Sequence, residues 1–153
     1  MTPTLGHEAA IPNPALATFT PFIGTWTTVG RHPMLDMTLH GRTIFEWHEG
    51  GAFLCIRSEI DEPGIPSAIS YIGSDDQEGT YMMLYFDERG VSRHYEASMD
   101  AGVMHWWRDM PGFRQRYTLT MSADGDTLEG RGELARDEDA WGPDLELTYT
   151  RVK

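Results

Sequence analysis

The chain has 153 residues, a single cysteine (Cys55) and a formal net charge of −12. The length is typical of one domain with its own hydrophobic core, and one cysteine excludes an intrachain disulfide. The 24 acidic residues outnumber the 12 basic ones and would repel phosphate backbones and anionic lipids, so we expect neither nucleic acid nor a membrane as a partner.

The first residues of the chain show no pattern of a packed element. Residues 1–13 contain proline and lack apolar periodicity, so we predict a flexible N-terminal segment there and a single domain over residues 14–153. The segment also lacks the basic and apolar regions of a signal peptide, and no apolar stretch approaches the roughly 20 residues of a membrane-spanning helix. We therefore expect a cytoplasmic protein.

A short helical element is predicted next, from Pro14 to Pro21. Asn13 can cap it, and proline is well suited to the first helical position. Leu16 and Phe19 would lie on one side of this element and cover one end of the structure that follows.

The rest of the chain is predicted to be all-β. About ten strand-like runs alternate with residues that favour tight turns, and no apolar pattern of helical period competes with them. Short connections between consecutive strands make an up-and-down antiparallel meander, and closing such a sheet into a barrel removes its two exposed edges. The runs are Ile23 to Arg31, Thr38 to His48, Ala52 to Asp61, Ser67 to Ser74, Thr80 to Asp87, Val91 to Ser98, Gly102 to Asp109, Arg114 to Ser122, Thr127 to Arg136 and Asp144 to Val152.

Two short motifs carry a family resemblance. Phe22-Ile23-Gly24-Thr25-Trp26 opens the first predicted strand, and Thr148-Tyr149-Thr150-Arg151 ends the last one. In this order they resemble the calycin superfamily of lipocalin-like barrels. The resemblance implies that Trp26 closes the base of the barrel and that Arg151 packs across it, a cation–π contact worth on the order of 1 kcal/mol.

Within that superfamily the chain is most similar to small bacterial lipocalin-like proteins of unknown function. The similarity includes Glu46-Trp47 ahead of Gly50-Gly51-Ala52-Phe53-Leu54, and Ile72-Gly73-Ser74-Asp75. It is more distant to nitrobindin, a haem-binding relative whose proximal histidine lies near the C-terminus. The corresponding residues 144–149 contain no histidine here, and the last histidine is His105. We therefore expect no haem and no other cofactor.

Strand alternation selects candidate residues for the barrel lumen, because every second side chain points inward. Arg93 and Tyr95 share a face with Val91 and Ala97, and Tyr117 and Tyr149 lie among apolar residues of their own strands. Both faces of the run from 102 to 109 carry large side chains, and we assign its His105 and Trp107 face to the lumen. The predicted ligand-binding residues are Arg93, Tyr95, His105, Trp107, Tyr117 and Tyr149.

The sequence predicts no metal site. Neither His40 with His48 nor His94 with His105 has a compact ligand spacing, and no third histidine or cysteine accompanies them. Cys55 stands in an apolar run and is predicted to be a packing residue.

Glu46 and His48 alternate with Trp47 and therefore share one face of their strand. If they point inward they are a candidate acid/base pair, and if Trp47 points inward they are solvated. We favour the second arrangement.

These observations favour a noncatalytic binding protein that holds a small apolar or aromatic ligand. We accordingly expect a cavity inside the barrel and not a core filled by side chains. The alternative is a cofactorless decarboxylase or isomerase that uses Arg93, Tyr95, Tyr117 and Glu46. A third class is a homodimeric interaction module with its tryptophans at the interface. These tryptophans are Trp106, Trp107 and Trp141.

Overall fold

The computed structural model of the protein describes residues 10–75, 80–136 and 140–153. Within these residues one 3-10 helix precedes ten strands, in agreement with the predicted number. No helix among them is long and apolar enough to span a bilayer. The helix spans Pro14–Phe22, and the strands are β1 (Gly24–Arg31), β2 (Leu39–His48), β3 (Phe53–Ile60), β4 (Ala68–Asp75), β5 (Thr80–Asp87), β6 (Ser92–Asp100), β7 (Val103–Met110), β8 (Phe113–Met121), β9 (Thr127–Ala135) and β10 (Gly142–Arg151).

The ten strands form one closed antiparallel barrel. Each strand pairs with its neighbours in sequence, and β1 also pairs with β10, so the sheet has no free edge. This confirms the predicted fold class, a closed up-and-down barrel with a short N-terminal helical turn. Because the strands alternate direction, the start of β1 and the end of β10 lie at the same end of the barrel.

The 3-10 helix covers that end, as predicted. Asn13 caps the helix by accepting a hydrogen bond from the Ala15 backbone N–H through its side-chain oxygen. Leu16, Phe19 and Phe22 are fully buried. The ring of Phe19 meets that of Tyr81 edge-on at 5.1 Å, so the helix packs on the strands that it closes.

The chain just before the helix is held against the β2–β3 turn. The Asn13 backbone N–H donates to the Gly51 carbonyl at 2.9 Å. Gly51 has a φ of +94°, and a Cβ there would lie 2.6 Å from Cβ of Pro12, so both its backbone conformation and this contact require glycine. Residues 1–9, which make up most of the predicted flexible segment, lie outside the described residues.

Trp26 and Arg151 form the plug of the closed end. They are cross-strand partners on β1 and β10, and the guanidinium carbon lies 4.2 Å from the indole centroid. Trp26 is fully buried, and its indole N–H donates to the Phe22 carbonyl at 3.0 Å. The guanidinium also donates to three backbone carbonyls of two segments, those of Pro21 and Ile23 before β1 and that of Gly125 before β9.

Substitution of Trp26 by alanine should therefore destabilise the protein strongly. We expect a loss of about 3–5 kcal/mol in the free energy of unfolding, because the change removes a fully buried aromatic ring and leaves a cavity. The measurement is chemical denaturation, with Trp107→Ala as the matched control, since Trp107 is partly exposed on the outside of β7. Equal losses for the two variants would contradict the plug assignment.

Candidate functional site

A polar cluster lies inside the barrel at the end opposite the helix, which we call the mouth. Arg93 and Tyr95 of β6 both donate to the side-chain oxygen of Gln115 on β8, each at 3.1 Å. The Gln115 amide nitrogen makes a long contact of 3.5 Å with Asp144, and His32 lies 2.9 Å from the other oxygen of that carboxylate. The cluster thus joins a cation and an anion through one neutral amide.

The cluster leaves hydrogen-bonding capacity for a further molecule. Two donors saturate the two lone pairs of the Gln115 oxygen. Among the described residues, however, Gln115 is the one hydrogen-bond partner of the Arg93 guanidinium, which carries five N–H donors. Arg93 is partly buried, and its guanidinium carbon lies 5.5 Å from the Phe113 ring centroid. The mouth therefore offers directed donors in a partly water-excluded position.

An aromatic layer lies in the lumen beside the polar cluster. Trp106 stacks on Tyr117 with ring centroids 4.6 Å apart, and the Tyr117 hydroxyl hydrogen-bonds that of Tyr149 at 2.8 Å. Tyr85 meets Tyr95 edge-on at 6.2 Å. These rings occupy this part of the lumen. A ligand would therefore have to bind nearer to the mouth.

Two glycines of β9 make room for this layer. A Cβ at Gly130 would lie 2.7 Å from Cζ of Tyr117 and 2.8 Å from Cε1 of Tyr149. A Cβ at Gly132 would lie 3.3 Å from Cδ2 of Tyr117 and 2.9 Å from the Leu145 carbonyl oxygen. The tyrosine pair therefore depends on the missing side chains of Gly130 and Gly132.

Burial keeps both phenols of the tyrosine pair neutral. Desolvation raises the pKa of Tyr149 to about 12, although the hydrogen bond to Tyr117 opposes this effect. Desolvation also raises the pKa of Tyr117 well above its usual value. These hydroxyls can donate or accept hydrogen bonds at neutral pH, but they are poorly suited to act as proton-transferring bases.

A second charged group stands at the edge of the mouth. The Asp87 carboxylate accepts hydrogen bonds from the Tyr85 hydroxyl at 2.8 Å and from the Arg89 guanidinium at 2.6 Å. The bond from Arg89 is the main cause that lowers the pKa of Asp87 to about 2. Burial, followed by the bond to Asp87, raises the pKa of Tyr85. Asp87 is therefore a fixed anion bonded to its own cation.

One buried hydroxyl in the lumen has no partner. Thr43 of β2 is 2 % exposed, and its Oγ1 is the one such buried side-chain atom among the described residues. An unpaired buried hydroxyl costs about 1–3 kcal/mol. Thr43 is the cross-strand partner of Trp26, so this hydroxyl lies at the closed end beside the plug and away from the mouth.

The structure brings four of the predicted residues into the lumen, namely Arg93, Tyr95, Tyr117 and Tyr149. His105 and Trp107 point outward, which corrects their assignment to the lumen. The opposite face of β7 carries buried Met104 and the Trp106 that stacks on Tyr117, whereas His105 is exposed beside the Thr118 hydroxyl at 3.1 Å. Since Trp106 lies inward, it is also unavailable for the proposed subunit interface.

Glu46 lies on the outer wall and cannot serve the lumen. Trp47 packs against the core, as the sequence favoured, and Glu46 instead accepts hydrogen bonds from outer-wall side chains. The Glu46 carboxylate lies 3.1 Å from His48 and 2.9 Å from Arg57. This arrangement removes the carboxylate that the enzyme alternative had assigned to the cavity.

Trp141 also lies away from the lumen. The guanidinium carbons of Arg116 and Arg114 lie 3.8 Å and 4.9 Å from its ring centroid. These two outward-facing arginines of β8 cover the indole, so the ring has a contact within its own chain.

Two grooves lie on the outer wall of the barrel. One has a volume of about 360 Å³ and runs over β1, β9 and β10, and the other has about 350 Å³ and runs over β3, β4 and β5. Neither groove includes a predicted ligand-binding residue. The predicted residues that the structure brings together lie in the lumen, away from both grooves.

Comparison with known proteins supports the fold. No family model matches the chain, and no match was found among curated proteins. The crystal structure of Rv2717c from M. tuberculosis superposes with a TM-score of 0.62 at 16% identity, over 95% of this chain and 100% of that one. At this identity the likeness establishes a shared β-barrel fold and nothing about a ligand.

Alanine at Gly130 should displace the tyrosine pair. We expect Gly130→Ala to lower the free energy of unfolding by about 1–3 kcal/mol or more, because the new methyl group overpacks the lumen. Gly73→Ala is the control, since a Cβ there lies 3.8 Å from its nearest neighbour, the end of Met82. Chemical denaturation compares them, and equal stabilities would show that Tyr117 does not depend on Gly130.

The buried phenols of Tyr117 and Tyr149 should lose their protons only at a pH above that of ordinary tyrosines. The pKa of Tyr149 is higher in the folded protein than the unfolded value of about 10, so stability present below pH 10 is lost as the pH rises toward 12. We expect a loss of about 2–3 kcal/mol over that range. Phenolate absorbance of the folded protein measures the titration, and all six tyrosines ionising together near pH 10 would contradict the buried pair.

Proposed function

We propose that the protein is a noncatalytic binding protein that holds a small apolar or aromatic molecule at the mouth of its lumen. The observation that carries this proposal is the meeting of Arg93 and Tyr95 on Gln115 inside the barrel. A few directed polar groups beside an apolar lining are typical of small-molecule sites. The aromatic side chains next to this cluster supply such a lining.

The charges of the mouth narrow the chemistry of the ligand. The free donors of Arg93 suit an acceptor such as a carboxylate, a carbonyl or a phenolic oxygen. Asp144 and Asp87 stand nearby as anions and would disfavour a molecule with several negative charges. We therefore propose a flat apolar or aromatic body with one acceptor group, which Arg93 would orient.

A second candidate is a cofactorless decarboxylase or isomerase. The His32–Asp144 pair favours it, because a carboxylate 2.9 Å from an imidazole orients that ring for general acid–base catalysis. In this candidate Arg93 would hold a substrate carboxylate, and His32 would replace Glu46 as the proton carrier. Turnover of the bound compound, lost in His32→Gln, would favour the enzyme over the binding protein.

We further propose that the chain belongs to the calycin superfamily and works in the cytoplasm. The Trp26–Arg151 plug and the likeness to the Rv2717c structure support the first statement. The single cysteine supports the second, because proteins of oxidising compartments commonly carry disulfides and this chain can form none within itself. A homodimer with Trp107 at its interface stays a prediction. It is tested by measuring whether the molecular mass in solution depends on the protein concentration.

Native mass spectrometry of the protein from its own host tests the proposed function. We expect a retained small molecule in the wild type and in Arg131→Gln, a control on the exposed outer face of β9. Arg93→Gln should weaken retention by at least about tenfold, because a charge-assisted hydrogen bond contributes about 1.5–3 kcal/mol. Unfolding curves of the three proteins should coincide once the retained molecule has been removed.

A weakly held ligand requires a probe. The fluorescent dye 8-anilinonaphthalene-1-sulfonate has an aromatic body and one anionic acceptor group, so it matches the proposed chemistry. Its affinity should fall in Arg93→Gln and stay unchanged in Arg131→Gln. Equal binding of dye and host compound by both variants would rule out the mouth as the site.

A further inference from the structure

A mixed cluster of donor side chains lies on the outer wall of β2 and β3. Glu46, His48 and Cys55 each place one potential ligand atom within 4.8 Å of the others. Glu46 and Cys55 are direct cross-strand partners, and His48 follows two residues after Glu46, so all three project from the same face of the sheet. The imidazole Nε2 lies 3.1 Å from the Glu46 carboxylate.

We propose that Glu46, His48 and Cys55 form a binding site for a thiophilic divalent cation of the zinc class. A thiolate, an imidazole and a carboxylate are the three ligand types that Zn²⁺ uses in proteins. Three protein ligands leave a fourth tetrahedral position for water or for a small exogenous ligand. The site lies on the outer wall and shares no residue with the proposed binding site in the mouth.

The surroundings hold the three ligands in place. Cys55 is fully buried, whereas Glu46 and His48 are partly exposed, so an ion entering from solvent would meet the sulfur at the inner side of the cluster. The rings of Phe53 and Tyr71 each meet the His48 ring edge-on with centroids 5.8 Å away. These contacts fix the imidazole orientation, and their apolar surface lowers the local dielectric constant.

Arg57 acts on the cluster from beside Glu46. Its Nε donates to Glu46 Oε1 at 2.9 Å, which orients the carboxylate and leaves Oε2 for an ion. Metal binding would replace the S–H bond of Cys55 by a sulfur–metal bond and release one proton to solvent. The reaction is balanced without any oxidant or reductant.

Sequence spacing could not predict this cluster. Cys55 lies seven positions after His48, on the next strand, and only the β2–β3 pairing places it opposite Glu46. The apolar run around Cys55 indicates a packing residue and gives no sign of a metal ligand. The cluster therefore appears only when the strand register is known.

Cobalt titration of the metal-free, full-length protein tests the proposal. Co²⁺ replaces Zn²⁺ in such sites and absorbs by charge transfer from a thiolate. We expect one equivalent of Co²⁺ to produce this absorption and one equivalent of Zn²⁺ to remove it. Cys55→Ser should abolish the absorption, and His48→Gln should weaken Co²⁺ binding by more than about tenfold, because each variant lacks one of three ligands.

Two further comparisons make the outcome decisive. His105→Gln removes another outer-wall histidine and should bind Co²⁺ as the wild type does. Zn²⁺ should raise the unfolding temperature of the wild type and of His105→Gln but not that of His48→Gln. If Cys55→Ser does not fold, His48→Gln and Glu46→Gln, which keep the thiol, decide the question. No thiolate absorption in the wild type, or full affinity in His48→Gln, would overturn the site.

Discussion

The contact between Arg151 and Trp26 is the constraint on which the rest of the barrel depends. The two residues pair across β10 and β1, the seam at which a ten-stranded meander becomes closed. The guanidinium covers the indole and bonds carbonyls before β1 and before β9, so it holds the seam, the helix end and a turn together. A sheet closed in this way has one sealed end, and the proposed binding site lies at the opposite end, the mouth.

The polar cluster of the mouth keeps two opposite charges apart while bonding both to one neutral amide. Arg93 and Asp144 are both partly buried, and an unpaired buried charge would be costly. Gln115 lies between them and bonds Arg93 firmly and Asp144 only weakly, at 3.1 Å and 3.5 Å. A direct ion pair would use more of the donors of the guanidinium. The amide bridge keeps the charges satisfied while leaving Arg93 available to an incoming acceptor.

Much of the fold, but less of the site, could be predicted from the sequence. Turn residues and alternating strands indicate the ten strands, and the resemblance to lipocalin-like barrels implies the contact between Trp26 and Arg151. The sequence could not predict which face of β7 points into the lumen, because Trp106 and His105 belong to two faces with equally large side chains. The choice depends on β8, where Tyr117 offers Trp106 a ring to stack on. A glycine alternation in β9, at Gly130 and Gly132, was the signal that this side of the lumen holds large rings.

Alternation along a strand also separates the two proposed sites. On β2, Trp47 packs inward against the core, and its neighbours Glu46 and His48 project to the outer wall. A substitution at the outer ligands therefore leaves the mouth residues on β6 and β8 unchanged, and the reverse is equally true. Loss of metal binding and loss of ligand binding should occur in different variants of the same barrel. A ligand that responds to changes at both sites would instead require coupling along the length of the barrel, because Trp47 and its neighbours lie at the helix end of β2 and the mouth lies at the opposite end.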